Sequence, residues 1–203
     1  MPAQYIQSTS DLDALFGTVS EAAIRKEVNS IHPVYRRWIE ASPFAVIATS
    51  GASGLDVSPR GDPAPLVRII DEKTLLLPER RGNNRVDGLR NLLTDPRVSL
   101  IFFVPGVNET LRLIGKARIC VDADLLQSFA VDGKLPRCVL EIKVDSVFFQ
   151  CARALIRSSL WDSPTRLGQV PTAGEMLAAV SNDTVGGQAY DAELPERTRK
   201  TLY

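Results

Sequence analysis

The chain has 203 residues and a mass of 22.2 kDa, which is enough for one domain with a sizeable core. Its 24 basic and 24 acidic residues cancel, so the overall charge gives no indication of a nucleic-acid or membrane-surface partner. A single histidine, His32, excludes a multi-histidine metal site, and three cysteines without Cys-x-x-Cys spacing argue against a disulfide framework or a zinc site. The N-terminal residues do not resemble a secretion signal and no run is apolar enough to span a bilayer, so we expect a cytoplasmic protein.

The first segment, residues 10–41, has a helical pattern. Ser10 and Ser20 are candidate N-caps, and Pro33 suits the first turn of a helix. These signals predict helices over residues 11–16, 20–28 and 33–39.

From Pro43 onward, short apolar runs alternate with turn residues. They predict strands over residues 44–49, 55–58, 66–70, 74–77, 98–104, 110–119 and 139–149, the spacing expected of a small antiparallel barrel. Helices are predicted over 85–93 and over 123–131, the latter capped by Asp122. A short helix, a loop, a helix over 175–180 and a polar tail follow. The prediction is a single domain with a helical cover (1–41), a barrel (42–150) and a C-terminal extension (151–203).

Three arginines gather in the turn after the strand at 74–77: Arg80, Arg81 and Arg85. Asn83 or Asn84 stands where the next helix needs its N-cap, which would place Arg85 in the first turn. The start of a helix carries partial positive charge, so an arginine there is unfavourable unless an anion binds. Guanidinium groups and free N–H groups suit a phosphate. The alternative is an exposed basic turn without a ligand.

Two further motifs place charged side chains near turns. In Ser-Pro-Arg-Gly-Asp (58–62) the proline and glycine favour a sharp bend. From this bend Arg60 and Asp62 could bind a polar ligand, or they could face water. After a Pro-Gly turn at 105–106, Arg112 lies within a strand. It either pairs with a carboxylate such as Glu109 or faces an anionic or carbonyl-rich ligand.

In this order and spacing, the motifs resemble the pyridoxamine 5′-phosphate oxidase-like, FMN-binding split-barrel family, nearest to a bacterial branch described only as FMN-dependent enzymes. The resemblance covers residues 43–161 and rests on 58–62, 77–80, 82–85, 105–106, 109–112, Ser158 and 160–162. It implies a mostly β (α+β) fold, a six-stranded antiparallel split β-barrel with flanking helices. It also implies a homodimer that binds flavin mononucleotide (FMN) at its interface.

The resemblance also implies roles for particular residues. Arg80, Asn84 and Arg85 would hold the FMN phosphate, Arg60 and Asp62 would lie along the cofactor, and Arg112 with 158–161 of the second subunit would approach the isoalloxazine ring. Trp161 could instead be a core or interface aromatic residue. The cofactor-binding residues expected are Arg60, Asp62, Pro78, Arg80, Asn83, Asn84, Arg85, Glu109, Thr110, Arg112, Ser158 and Trp161.

The sequence departs from true pyridoxamine 5′-phosphate oxidases after Arg166-Leu167. Those enzymes continue with a His-containing substrate motif, whereas Gly168-Gln169 stands here. The vitamin B6 substrate therefore does not carry over.

The function expected is an FMN-dependent oxidoreductase that passes a hydride or electrons between flavin and an unidentified small molecule. No side chain is assigned as catalytic and no metal is expected. Two alternatives stay open: a non-catalytic flavin-binding or sensing protein, and a split barrel that binds a deazaflavin or haem. Haem would lack an axial ligand near the barrel motifs, because His32 lies in the helical cover.

Overall fold

The computed structural model describes residues 3–52, 54–162 and 170–203. Within these ranges the chain forms eight helices and seven strands. In chain order they are α1 (Thr9–Phe16), α2 (Glu21–Arg25), α3 (Pro33–Ala41), β1 (Phe44–Gly51), β2 (Gly54–Gly61), β3 (Arg68–Asp71), β4 (Thr74–Glu79), α4 (Asp87–Leu92), β5 (Arg97–Phe103), β6 (Thr110–Cys120), α5 (Ala123–Gln127), β7 (Cys138–Gln150), α6 (Arg153–Ser158), α7 (Ala173–Val180) and α8 (Gly187–Lys200).

The N-terminal helices are short and differ from the prediction at their ends. The N-cap of α1 is Ser8 rather than Ser10, since the Ser8 side chain accepts a hydrogen bond from the N–H of Asp11. Helix α2 ends at Arg25 rather than Val28, because Val28 leaves to form a bridge with Val147 of β7. Neither α1 nor α2 has a buried residue, whereas α3 buries Ile39 in the core.

The seven strands form one antiparallel sheet in the order β2-β1-β5-β6-β7-β4-β3. Alternate residues of β1, β5 and β6 are buried on one face, as a period of two requires when a single face packs on a core. The core also takes residues from β4, β7 and α3. Its largest fully buried side chains include Phe102, Ile39, Leu75, Leu77, Leu111 and Leu140.

The mostly antiparallel sheet with flanking helices agrees with the expected fold class, but the six-stranded barrel does not. Seven strands pair, and between residues of the described ranges no ladder joins the edge strands β2 and β3, so the hydrogen-bonded sheet stays open. The seven apolar runs in the sequence correspond to these seven strands. The sheet nevertheless curls, because side chains of β2 and β4 meet although four strands separate them in the sheet order.

The C-terminal residues contain a helix where the sequence predicted a polar tail. Residues Gly187–Lys200 form α8, which packs on α7. The Asp191 carboxylate accepts hydrogen bonds from the Thr172 hydroxyl and from the backbone N–H of Gly174 at 2.7 Å, and this ties the two helices together. Among the described residues, no helix is both long and apolar enough to cross a membrane.

Candidate functional site

A cavity of about 500 Å³ lies where the ends of β2 and β4 meet the loop before α4. Its lining is dominated by arginines, with two acidic residues and two amides. The charged and amide residues are Arg60, Arg80, Arg81, Arg85, Arg137, Asp56, Glu79, Asn83 and Asn84. Apolar side chains complete the wall: Leu66, Pro78, Val86 and Leu89. The cavity wall thus combines positively charged and apolar side chains.

Strand alternation explains how β2 contributes to this cavity. Asp56, Ser58 and Arg60 line it, whereas Leu55 and Val57 are exposed on the opposite face of the strand. The sharp bend predicted at Pro59 and Gly61 is absent, because both residues pair with β1 in an unbroken register. Arg60 is therefore held on a regular strand rather than at a turn.

Two ion pairs join the strand ends at the cavity. The Nε of Arg60 donates to Oε1 of Glu79 at 2.7 Å, and the Nε of Arg80 donates to Oδ2 of Asp62 at 2.8 Å. All four side chains are largely buried, with exposed fractions between 8% and 19%. Arg80 also donates through Nη1 to the carbonyl oxygen of Phe129 at 2.7 Å. Arg80 and Asp62, expected to contact the cofactor separately, are bonded to each other.

The turn before α4 differs from the prediction that Asn83 or Asn84 caps the helix and that Arg85 lies in its first turn. Helix α4 begins at Asp87, its N-cap is Val86 without a side-chain hydrogen bond, and neither asparagine caps it. Arg85 therefore precedes the first turn, and its Nε donates to Oδ2 of Asp87 at 2.5 Å. This hydrogen bond lowers the pKa of Asp87 and raises the pKa of Arg85.

The asparagines shape the loop instead. The Oδ1 of Asn83 accepts a hydrogen bond from the N–H of Arg85 at 2.9 Å, and Asn84 has a left-handed backbone with φ 61°. The hydrogen bonds found within the described ranges include none from the backbone N–H groups of Gly82, Asn83 or Asn84. These donors are available to a ligand.

The cavity has more positive than negative charge. Arg60 and Arg80 are neutralised by buried carboxylates, but Arg81 and Arg137 form no ion pair with any described residue. Arg137 was missed by the sequence reasoning because it is far from the other arginines along the chain. Its backbone N–H donates to the carbonyl oxygen of Glu79 at 3.0 Å, which brings it to the cavity. Such a surplus of guanidinium groups suits a phosphate.

The remaining predicted residues do not line this cavity. Thr110 is buried and Glu109 half-buried beside it. Arg112 is not paired with Glu109; its guanidinium lies over the ring of Phe148, 5.6 Å from the centroid, and no ion pair to it occurs within the described part of the chain.

The residues after β7 also lie outside the cavity lining. The Ser158 hydroxyl donates to the carbonyl oxygen of Leu155 at 3.0 Å, and the Trp161 Nε1 donates to that of Val107 at 2.8 Å. Trp161 is therefore anchored to the turn before β6. The Arg166-Leu167-Gly168-Gln169 segment lies outside the described residues.

His32, the one histidine, caps α3. Its Nδ1 accepts a hydrogen bond from the N–H of Val34 at 3.3 Å, and it does not line this cavity. It is thus engaged in a local structural role.

Comparison with known proteins gives one family match. The family model described as pyridoxamine 5′-phosphate oxidase matches residues 31–151, which include β1–β7. Comparison with curated protein sequences gives no match.

Among solved structures, HupZ of group A Streptococcus is 21% identical, with a TM-score of 0.42 and coverage of 55% of this chain and 87% of that one. General stress protein 26 of Bacillus anthracis is 13% identical, with a TM-score of 0.44 over 56% and 88% of the two chains. An FMN-binding protein of Syntrophomonas wolfei is 11% identical, with a TM-score of 0.44 over 57% and 83%. Because the family model covers more than half of the sequence, the chain belongs to the pyridoxamine 5′-phosphate oxidase family.

Proposed function

We propose that the cavity binds FMN and that the protein is an FMN-dependent oxidoreductase acting on a small molecule. The observation that carries this proposal is the surplus of guanidinium groups and unused backbone N–H groups around residues 81–85. FMN offers a phosphate dianion for these cationic and N–H groups and an aromatic ring for the apolar wall residues. The volume of about 500 Å³ lies within the range usual for small-molecule sites.

The residues of the cavity fit distinct parts of FMN. Arg85, Arg81 and the amides of Asn83 and Asn84 would hold the phosphate, because they combine free donors with positive charge. Asp62 and Phe129 accept two of the five N–H donors of Arg80, and the Asp62 carboxylate balances its charge. Arg80 would hold the phosphate less directly than the sequence suggested.

Arg60 and Glu79 would orient the rest of the cofactor. Their ion pair fixes the guanidinium of Arg60, so the arginine would present its remaining donors without losing conformational entropy on binding. Leu66, Pro78 and Leu89 would exclude water from one face of the site. When bound, FMN supplies hydride or electron transfer, and this chain supplies binding, orientation and electrostatics.

We propose a homodimer because Arg112 and Trp161 lie away from the cavity of their own chain. Residues implied by the family resemblance to approach the flavin would then belong to a second copy. Arg112 stands on the half-exposed face of the sheet, between Ile101 on β5 and Phe148 on β7 in the strand register. An apolar sheet face around one arginine suits contact with another copy of the chain.

Replacing Arg85 tests the phosphate assignment, and Arg90 provides a matched control. Both arginines are exposed and pair with Asp87, but only Arg85 lines the cavity. We expect Arg85→Gln to weaken FMN binding by about tenfold or more and to leave riboflavin binding nearly unchanged, because only FMN has a phosphate. Arg90→Gln should change neither affinity by more than about twofold. Equal losses for FMN and riboflavin would contradict the assignment.

The cofactor class is tested by the absorbance and mass spectra of the ligand released from the purified protein. Bands in the blue and near-ultraviolet with the mass of FMN support the proposal. A Soret band or a single violet-region band would replace FMN by haem or a deazaflavin. Bound FMN without turnover by any electron donor would support a sensing role instead of an enzyme.

A further inference from the structure

A second cavity of about 490 Å³ adjoins the first and shares Arg81 and Arg137 with it. Its other charged or polar wall residues are Lys134, Lys200 and Tyr203. We call it the second basic cavity. It brings together residues from the loop after β4, the loop before β7 and the end of α8, which are distant in the sequence.

The electrostatics of the second basic cavity are one-sided. Among the described residues, four cationic side chains line it and no acidic one does. Arg81, Arg137 and Lys134 have no ion-pair partner among the described residues, while Lys200 pairs with Glu196 at 2.6 Å. Cationic groups around one concave surface repel each other, and an anion bound between them would relieve that repulsion.

Backbone hydrogen bonds fix the main chain that carries two of these cations. Lys134 follows a two-residue turn in which Asp132 and Gly133 both have positive φ, 49° and 75°. The backbones of Lys134 and Val131 exchange hydrogen bonds of 2.9 and 3.0 Å across this turn. Arg137 is tied through its N–H to the carbonyl oxygen of Glu79 at 3.0 Å. The backbones of Lys134 and Arg137 are therefore held by hydrogen bonds, unlike those of an open loop.

Tyr203 closes the cavity on the side of the buried ion pairs. Its hydroxyl donates to Oδ1 of Asp62 at 2.8 Å, and its ring lies 5.4 Å from the guanidinium of Arg80. The bond to Asp62 raises the pKa of Tyr203, and the nearby carboxylate of Asp132 adds to this effect without lining the cavity. The tyrosine is thus a neutral wall between the two cavities.

We propose that the second basic cavity binds the phosphate groups of a small ligand that carries two or more phosphates. Three cations without an ion-pair partner among the described residues, with Lys200 beside them, match the charge of a diphosphate better than that of a single phosphate or carboxylate. A ligand in the first cavity would share Arg81 and Arg137 with this one, whereas Lys134 and Lys200 line the second basic cavity alone. Two sources share this chemistry: the diphosphate of a dinucleotide that extends from the first cavity, or a separate polyphosphorylated molecule.

Titration calorimetry with inorganic pyrophosphate tests the site on the full-length protein. Lys134→Gln and Lys200→Gln remove charges that line the second cavity only, and Lys116→Gln removes an exposed charge on β6 that lines neither. We expect the first two variants each to weaken pyrophosphate binding by about tenfold and Lys116→Gln by less than twofold. No binding at millimolar pyrophosphate, or equal affinities in all variants, would overturn the proposal.

Two further titrations separate the sources. If pyrophosphate still binds when the protein is saturated with FMN, and Lys134→Gln weakens that binding, the ligand is a separate molecule. If flavin adenine dinucleotide binds more tightly than FMN and Lys134→Gln removes the gain, the ligand is a dinucleotide. Full displacement of pyrophosphate by FMN, unaffected by Lys134→Gln, would place pyrophosphate in the first cavity and overturn the proposal.

Discussion

Glu79 is a buried charged residue at the edge of the site. It is the last residue of β4, it is 9% exposed, and its carboxylate is held by the Nε of Arg60. A buried carboxylate without a partner destabilises the folded state, so removing Arg60 would leave Glu79 as an unpaired buried charge. Its carbonyl oxygen also accepts the N–H of Arg137. One residue therefore positions arginines from both β2 and the loop before β7.

Cys138, the register partner of Glu79 on β7, makes the stability of the fold near Glu79 depend on pH. Burial raises the pKa of its thiol from 9.0 to about 11, and the charge of Glu79 adds to the effect. The folded state therefore favours the neutral thiol. Its contribution to stability is fully present below the pKa of the unfolded chain and is lost as the pH rises through the folded value.

We expect the free energy of unfolding to fall more steeply in the wild type than in Cys138→Ala between pH 9 and 11. The extra loss should be about 2 kcal/mol, because each pKa unit corresponds to about 1.4 kcal/mol. Urea unfolding at a series of pH values measures it. A difference in the free energy of unfolding that is the same at every pH reports only the loss of the sulfur atom. Parallel pH curves for the wild type and Cys138→Ala would therefore contradict the raised pKa.

Sequence reasoning identified local clusters at the site but not the groups that the fold adds to them. Arg80, Asn83, Asn84 and Arg85 are adjacent in the chain and do line the cavity. Arg137 enters through a hydrogen bond to a strand 58 positions away, which no local pattern encodes. Asp87 was not singled out in the sequence, although its carboxylate accepts a hydrogen bond from Arg85. Pairings between distant segments depend on sheet curvature.

The strands were easier to predict than the helices. The runs at β1, β5 and β6 follow from burial on one face, which imposes a period of two, whereas the continuous run at β4 belongs to a strand buried throughout. Helix α8 was missed because its face is largely polar, it contains Pro195, and it has no buried residue. Its contacts come instead from Asp191 and the close approach of Gly174 to the backbone of Gly187.

Gly115 marks the irregular point of the β6–β7 ladder. The register shifts between Ile114 and Gly115, and a methyl group at Gly115 would collide with the backbone oxygen of Lys143. Because backbone cannot swing aside as a side chain can, we expect Gly115→Ala to lower the free energy of unfolding by about 2 kcal/mol.

Gly82→Ala is the matched control for this substitution. No atom of the described residues lies within 4 Å of a carbon added at Gly82, and its φ is not positive, so the effect should stay within about 0.5 kcal/mol. Urea unfolding midpoints of the two variants provide the comparison. Equal stabilities of the two variants would contradict the predicted collision between a methyl group at Gly115 and the backbone of Lys143.

At the scale of the whole molecule, the sheet presents two unlike surfaces. Its concave face encloses the core, and the cavity opens where β2 and β4 approach. Its other face carries half-exposed Val46, Ile101, Phe103, Ile114 and Phe148 around Arg112. The first face explains the stability of the monomer fold. The second explains why a monomer would leave both apolar surface and a strand arginine without an evident role.

The dimer proposal is tested on this second face. Ile114 is 37% exposed at the centre of β6, so an acidic side chain is tolerable in a monomer but would be buried without a partner in each subunit of a dimer. We expect Ile114→Glu to raise the dimer dissociation constant by about 100-fold, equivalent to about 3 kcal/mol, and to weaken FMN binding in parallel. Val180→Glu, on α7 at 82% exposure, should leave the dimer intact.

Sedimentation velocity at several protein concentrations, with and without FMN, measures both effects. The two losses should occur together in Ile114→Glu, because a site completed by Arg112 and Trp161 of a second copy cannot retain full affinity in a monomer. A wild-type monomer that binds FMN tightly would contradict the proposal. So would an Ile114→Glu variant that sediments as a dimer, since the paired face would then lie elsewhere on the molecule.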